Sequence, residues 1–131
     1  MKKFVVFTDG ASKGNPGPAA IGAAIKDEQG RLVTSISQGI GHTTNNQAEY
    51  KAIIAALEQT IKLGADQVEI RSDSELVVRQ ITGQYRVKKA SLKPLYLKVK
   101  QLQSQLESLT ITHIPRQQNT AADILANMAL K

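Results

Sequence analysis

The amino-acid sequence predicts an α/β fold, in which a five-stranded mixed sheet of three antiparallel strands followed by parallel strands is flanked by helices. The first observation is the order of the segments, β-β-β-α-β-α-α-β-α, which joins a meander to strand–helix alternation. The second is size, because 131 residues with 41% hydrophobic content suffice for one core but not for two. No repeat or linker interrupts the sequence, so we interpret residues 1–131 as a single domain.

The first three predicted strands are separated by glycine-containing turns. Phe4–Phe7 is an uninterrupted apolar run, typical of a buried strand, and the strand ends at the carboxylate of Asp9. After a Gly/Pro-rich loop, Ala19–Lys26 has the small residues of a closely packed strand, and residues 27–30 form a turn that ends in glycine. Leu32–Gly39 alternates apolar and polar residues, as a third, antiparallel strand does.

The middle of the chain is predicted to form a long helix, a strand and a short helix. A polar loop, Gly41–Asn46, precedes the long helix, and Thr44 or Asn45 can cap it. Glycines follow both helices and end them. The predicted bounds are Asn46–Leu63 for the long helix, Gln67–Ser72 for the strand and Ser74–Thr82 for the short helix.

The last third of the chain begins with a basic loop over residues 84–93. Pro94, a favourable first-turn residue, opens a helix that runs to about Leu106. Its candidate core positions are Leu95, Leu97, Val99, Leu102 and Leu106. A fifth strand, Leu109–Ile114, and a final helix from Thr120 complete the fold.

The composition narrows the class of function. With no cysteine, the chain has neither disulfides nor thiolate metal ligands. The net charge of +6 favours a polyanionic partner such as nucleic acid, although many soluble domains are basic for other reasons. Only four apolar residues follow Met1–Lys3 before Thr8, too few for a secretory signal, and no stretch is long enough to span a membrane. We therefore expect a soluble, cytoplasmic protein with no membrane partner.

Two acidic residues stand where predicted strands end. Asp9 follows the first strand and Asp73 follows the fourth. If these strands are parallel neighbours, both carboxylates emerge at the same edge of the sheet, where α/β proteins bind ligands. Taken alone, Asp9 is better explained as the first residue of an Asp-Gly turn than as a catalytic residue.

Two further acids share the inward faces of predicted helices. Glu49 has Ile53 and Ala56 at helical spacings, and Asp123 has Ala126, Asn127 and Leu130. Each acid could instead be a carboxylate favoured by the dipole at a helix N-terminus. That alternative does not explain why all four acids would converge, and an acid on an apolar face is unfavourable unless it is paired or binds a cation.

Four carboxylates without cysteine select hard, oxygen-binding cations, Mg²⁺ or Mn²⁺ rather than Zn²⁺. Two such ions, roughly 3.5–4 Å apart, suit an in-line phosphoryl displacement. One ion activates a water nucleophile and the other stabilises the leaving oxygen. An acidic two-metal site beside a basic surface is the combination that a nuclease requires.

Four motifs in order resemble those of the type 1 ribonuclease H family, and the resemblance covers nearly the whole chain. A lone Asp-Gly or Ser-Asp-Ser is weak evidence, but four motifs in this order are specific. They are Thr8–Gly10 with Gly14–Pro18, Thr43–Glu49, Ser72–Ser74, and Asn119–Ala126 with Asp123.

The resemblance implies a ribonuclease H-like fold and a site in which Asp9, Glu49, Asp73 and Asp123 bind two divalent metal ions. The implied activity is hydrolysis of the RNA strand of an RNA–DNA hybrid, leaving a 5′-phosphate and a 3′-hydroxyl. We expect a monomer, with double-stranded RNA as a further candidate substrate. The residues implied in substrate contacts are Asn15, Asn45 and Asn46 at the minor groove and 2′-hydroxyls, and Thr44 and Arg116 at phosphates.

Two departures from the family pattern point to its compact, archaeal-like branch. Many bacterial members carry a basic helical protrusion, but the segment Gly83–Pro94 is too short for an added helix. Its lysines, Lys88, Lys89 and Lys93, are interpreted as a solvated loop, with a reduced substitute for the protrusion as the alternative. Many members also have a mobile-loop histidine, whereas His113 is predicted to end the fifth strand.

Two other functions remain possible from the sequence. A nucleic-acid-binding module with weak or absent catalysis would explain the missing protrusion and loop histidine. An actin-like ATPase also has an Asp-Gly loop after a first strand, but it needs two such domains around a cleft, and this chain has room for one. Metal-dependent cleavage of a hybrid separates the leading hypothesis from both.

Overall fold

The computed structural model describes residues 1–130 and contains five strands and four α-helices. A short 3₁₀ turn, Arg116–Gln118, precedes the last helix. The strands are β1 Lys3–Ser12, β2 Gly17–Lys26, β3 Leu32–Thr43, β4 Gln67–Ser72 and β5 Ser108–His113, and the helices are α1 Asn45–Lys62, α2 Glu75–Ile81, α3 Lys93–Gln103 and α4 Thr120–Ala129. No helix in the described range is long and apolar enough to cross a membrane.

The strands form one mixed sheet in the order β3-β2-β1-β4-β5. β1 pairs antiparallel with β2 and parallel with β4, and β4 pairs parallel with β5. The β1–β4 register places Thr8 opposite Ser72, so Asp9 and Asp73 follow at the same edge of the sheet. The predicted fold class is therefore confirmed, and so is the common edge of the two acids. The prediction that the first strand ends at Asp9 is wrong, because β1 continues to Ser12 in its pairing with β2.

Helices pack on both faces of the sheet, and two glycines set how closely they approach. A Cβ at Gly10 would overlap the backbone of Ala48 and Glu49 in α1. A Cβ at Gly22, which pairs with Asp9 across the β1–β2 ladder, would overlap the backbone of α4. Because successive residues of a strand face opposite sides, α1 and α4 lie on opposite faces of the sheet.

The structure corrects further details of the sequence prediction. β3 continues to Thr43, so the first half of the predicted polar loop before α1 is strand, paired with the start of β2. The third helix ends at Gln103 rather than near Leu106. Leu97 was predicted to be in the core but is 63% exposed, whereas Val99 and Leu102 are buried. The error arose because residues two apart, such as Leu95, Leu97 and Val99, cannot all lie on the one helix face that packs against α1.

Candidate active site

The close approach of β1 and α1 brings the first two acids together. With no side chain at Gly10, α1 lies directly against the end of β1. The Gly10 N–H then donates a hydrogen bond of 2.6 Å to Glu49 Oε1. Glu49 lies in the second turn of α1, and Ile53 and Ala56 on the same face are fully buried. The predicted inward orientation of Glu49 is confirmed.

All four predicted acids line one cleft of about 480 Å³. Carboxylate oxygens of Asp9, Glu49 and Asp73 lie within 4.8 Å of one another. Asp123, in the first turn of α4, lines the same cleft and is close enough to the Asp9 carboxyl to affect its pKa. The structure therefore brings together acids that are separated by up to 114 positions in the sequence.

The clustered charges change the acid–base properties of the site. Burial, followed by repulsion from Asp73 and by Asp123, raises the pKa of Asp9 to about 7. Burial and the charge of Asp9 also raise the pKa of Glu49 well above its usual value, although the Gly10 N–H opposes this shift. Within residues 1–130, none of the three ion pairs involves these acids. Such a cluster is relieved by binding protons or cations.

The acids form an oxygen-only donor set that fits Mg²⁺ or Mn²⁺. Asp9 interacts with all three other acids, because Asp73, Asp123 and Glu49 each affect its pKa. The donor chemistry and the self-repulsion of the site both fit the metals that the sequence predicts.

Local hydrogen bonds hold the acids at the edges of the cleft. Ser72 Oγ accepts a hydrogen bond of 3.1 Å from the Ser74 N–H, which shapes the turn at Asp73. Asn127 Nδ2 donates to the carbonyl oxygen and to Oδ1 of Asp123, at 2.9 and 3.1 Å. Asn127 was predicted to face the core, but it is exposed and lines the cleft. Its contact with Asp123 was missed because only the helical spacing was read.

The predicted substrate residues also lie at the cleft and beside it. Asn45, Asn46 and Arg116 line the acidic cleft. Asn15 Oδ1 accepts a hydrogen bond of 3.0 Å from the Asn45 N–H, and Asn45 Oδ1 accepts one of 3.1 Å from the Ser12 N–H. A hydrogen bond therefore joins Asn45, which lines the cleft, to Asn15 beside it.

A second, smaller cavity of about 160 Å³ adjoins the first, and Asn46 lines both. Thr44 lies in it and caps α1, since its side chain accepts a hydrogen bond of 3.2 Å from the Gln47 N–H. The other lining residues are Asn15, Lys89, Ser91 and Leu92. The basic charge of Lys89 is visible in the sequence, but its proximity to Thr44 depends on the tertiary fold.

The departures from the family pattern agree with the structure. Between α2 and α3, residues 82–92 contain no additional helix. His113 is the last residue of β5, as predicted, and Arg116 reaches the cleft from the following 3₁₀ turn.

Comparison with known proteins agrees with this architecture. A family model described as "Reverse transcriptase-like" matches residues 7–129. The ribonuclease HI of Halobacterium salinarum is 44% identical over 124 residues, which cover 95% of this chain and 62% of that protein. A bifunctional protein of Mycobacterium tuberculosis is 42% identical over 98% of this chain, which spans only 35% of its length.

Solved structures give the same result. The RNase H1 of H. salinarum superposes with a TM-score of 0.95 at 43% identity, covering 98% of this chain and 97% of that one. The N-terminal RNase H domain of the M. tuberculosis protein also gives 0.95, at 42% identity and with 98% and 99% of the two chains covered. LC11-RNase H1 in complex with an RNA/DNA hybrid gives 0.92 at 44% identity, with 97% and 96% covered.

The mixed sheet, together with the cleft that four carboxylates line at its edge, defines a ribonuclease H-like domain. The chain belongs to the type 1 ribonuclease H family.

Proposed function

We propose that this protein is an endoribonuclease that hydrolyses the RNA strand of RNA–DNA hybrids. The single observation that carries the proposal is the convergence of Asp9, Glu49, Asp73 and Asp123 in one cleft without a neutralising ion pair. The net charge of +6 favours nucleic acid as the partner. Because the acidic cluster would repel nucleic acid unless cations bind first, hydrolysis at this site is proposed to depend on metal ions. The structure of LC11-RNase H1 with an RNA/DNA hybrid supports this choice of substrate.

The four acids are proposed to hold two divalent ions, Mg²⁺ or Mn²⁺. When bound, these ions would supply an activated water and stabilise the departing oxygen in an in-line displacement. The chain itself contributes placement, because Gly10 fixes the Glu49 carboxylate and Asn127 fixes that of Asp123. Attack at phosphorus with rupture of the bond to O3′ leaves a 3′-hydroxyl on one product and a 5′-phosphate on the other.

Three asparagines at the cleft or beside it are proposed to recognise the RNA strand. Asn15, Asn45 and Asn46 place amide groups there, and a 2′-hydroxyl can both donate to and accept from an amide. Arg116 is proposed to contact a phosphate of the same strand, since its guanidinium is suited to that group. The 2′-hydroxyl then distinguishes the RNA strand from DNA.

The second cavity is proposed to hold a phosphate of the DNA strand. Thr44 offers a hydroxyl at the start of α1, where the helix dipole favours an anion, and Lys89 adds a positive charge. Because Asn46 lines both cavities, one hybrid can occupy the two sites together. Both cavities are built by one chain, so we propose that the monomer is active.

A cleavage assay tests the proposal. An RNA–DNA hybrid labelled on either strand, an RNA duplex and a DNA duplex are each incubated with Mg²⁺, Mn²⁺ or EDTA. We expect cleavage of the RNA strand of the hybrid only with metal, and products that DNA or RNA ligase can rejoin because they carry 5′-phosphates. Cleavage of the RNA duplex would extend the substrate range. Binding of the hybrid without cleavage in either metal would instead support a binding module.

A further inference from the structure

Asn119 is a buried asparagine that connects the two parts of the chain that carry Asp9 and Asp123. Its side chain has no exposed surface, and its Nδ2 donates a hydrogen bond of 2.9 Å to the carbonyl oxygen of Thr8. Thr8 directly precedes Asp9. On the other side, the Asp123 N–H donates to the Asn119 carbonyl oxygen at 3.2 Å. One residue thus joins the end of β1 to the first turn of α4.

Other contacts hold α4 against the sheet from Ala122 onwards. Gly22 packs against the backbone of Ala122 and Ala126, and Ser37 Oγ donates a hydrogen bond of 2.6 Å to the Leu125 carbonyl oxygen. Asn119 fixes the amino end of α4, at the point where the β1–β4 ladder ends with the Thr8–Ser72 pair.

The amide of Asn119 is only half satisfied. Its Oδ1 is buried and has no hydrogen-bond partner within residues 1–130. An unpaired buried carbonyl is unfavourable, so the single hydrogen bond to Thr8 contributes little net stability. An amide at this position is better explained by its positioning of the end of β1 relative to α4 than by the stability that it adds.

We infer that Asn119 is a positioning residue of the metal centre, and this inference rests on the proposed function. It would hold the Asp123 carboxylate beside Asp9, where both would contribute oxygen ligands to the metal centre. Without the Asn119 side chain, every carboxylate remains present but the amino end of α4 is free to shift. Metal binding therefore weakens although no ligand has been removed, as is usual when the residues that orient metal ligands are changed.

Binding of Mn²⁺ to the free protein, measured by calorimetry, tests the inference without requiring catalysis. We expect Asn119→Ala to lower the affinity for Mn²⁺ by about tenfold. In protein that already carries Asp123→Asn, the same substitution should cause no further loss, because Asn119 acts through Asp123. In cleavage assays, Asn119→Ala should raise the Mg²⁺ concentration that gives half-maximal activity, and saturating Mg²⁺ should restore kcat.

Thr60→Val is the matched control for lost stability. Thr60 is fully buried in α1, and its Oγ1 donates a hydrogen bond of 2.9 Å to the Ala56 carbonyl oxygen. It lies three turns beyond Glu49, about 16 Å along the helix axis. This variant should lower Tm but leave the Mn²⁺ affinity unchanged.

Wild-type Mn²⁺ affinity in Asn119→Ala, or a loss that adds fully to that of Asp123→Asn, would overturn the inference. If Asn119→Ala does not fold, Asn119→Ser is measured at lower temperature, and unfolding of both would assign Asn119 to the fold alone. Absence of hybrid cleavage by the wild-type protein would contradict the proposed function, while the Mn²⁺ measurements would still decide the role of Asn119.

Discussion

At the scale of single residues, Asp9 is a carboxylic acid in an unfavourable environment for its charged form. It is 7% exposed, it faces three other acids, and its pKa is raised to about 7 by burial first and by these neighbours second. Below that pH the folded protein keeps a proton that the unfolded chain releases near pH 3.8. In the absence of metal, the contribution of Asp9 to stability is therefore largest below pH 3.8 and is lost as the pH rises towards 7.

This shift predicts how Asp9→Asn changes stability. In EDTA the variant should be more stable than the wild-type protein at pH 7.5, by on the order of 2–4 kcal/mol, and the difference should shrink as the pH falls to 4. Denaturant unfolding at a series of pH values measures it. Added Mg²⁺ should narrow the difference at pH 7.5, because only the wild-type site binds the ion with full affinity.

Asp27→Asn is a control that should change stability at pH 7.5 in the opposite direction to Asp9→Asn. Asp27 accepts hydrogen bonds from Arg31, which lower the pKa of its carboxyl. Its contribution to stability is present above pH 3.8 and is lost as the pH falls below that value. The substitution should therefore destabilise the protein at pH 7.5. If the free energy of unfolding changed with pH in the same way for the wild-type protein and for Asp9→Asn, the shifted pKa of Asp9 would be contradicted.

Sequence reasoning at this scale identified the four acids of the cleft but not the residues that hold them in place. The four acids were identifiable because carboxylates at strand ends and on apolar helix faces are unusual. The hydrogen bonds of Ser12 and Asn119 join positions 33 and 111 residues apart in the sequence. No local pattern marks such contacts, so they could be found only in the folded structure.

At the scale of elements, the contact between β1 and α1 determines whether the site forms. Gly10→Ala would place a methyl group against the backbone of Ala48 and Glu49 and would push α1 away from the strand. We expect destabilisation of about 1–3 kcal/mol, as for other overpacked sites. We also expect weaker Mn²⁺ binding, because Glu49 moves with the helix.

Gly39→Ala in β3 is the control for this prediction. Its Cβ would meet only Ala129, at an ordinary distance of 3.8 Å. Urea unfolding and Mn²⁺ calorimetry should show wild-type behaviour or a small gain in stability. Equal effects of the two substitutions would mean that the close approach at Gly10 is not what builds the site.

The basic loop between α2 and α3 gives a second prediction at this scale. Lys89 lines the smaller cavity with Thr44, whereas the neighbouring Lys88 is exposed and does not line it. Lys89→Gln should weaken hybrid binding and reduce the slope of log K against log salt by roughly one, the effect of losing one phosphate contact. Lys88→Gln removes the same charge and should change the slope less. Identical slopes for both variants would support a merely solvated loop.

The order and type of every strand and α-helix were predictable, because each has an unbroken apolar or periodic pattern bounded by Gly or Pro. The ends of β1, β3 and α3 were not. β3 extends through residues with weak strand preference because β2 pairs with it as far as Gly17 and Thr43, with a bulge at Ile40. Tertiary pairing, which the local sequence does not show, decided that boundary.

At the scale of the whole molecule, the charge distribution has two opposed parts. The chain carries a net charge of +6, yet one cleft collects four acids. A nucleic acid that is attracted by the net positive charge would be repelled by the acidic cleft until divalent cations bind there. The molecule as a whole is therefore expected to bind metal and hybrid cooperatively.

The most direct test of this account compares the wild-type protein and Asp9→Asn on one RNA–DNA hybrid, with cleavage of each strand and hybrid affinity measured in the same Mg²⁺ buffer. The account predicts metal-dependent cleavage of the RNA strand alone by the wild-type protein. Asp9→Asn should remain folded and bind the hybrid, with cleavage reduced at least a thousandfold, about 4 kcal/mol in transition-state stabilisation. Retained cleavage in Asp9→Asn would contradict the assignment of the four acids as the metal centre.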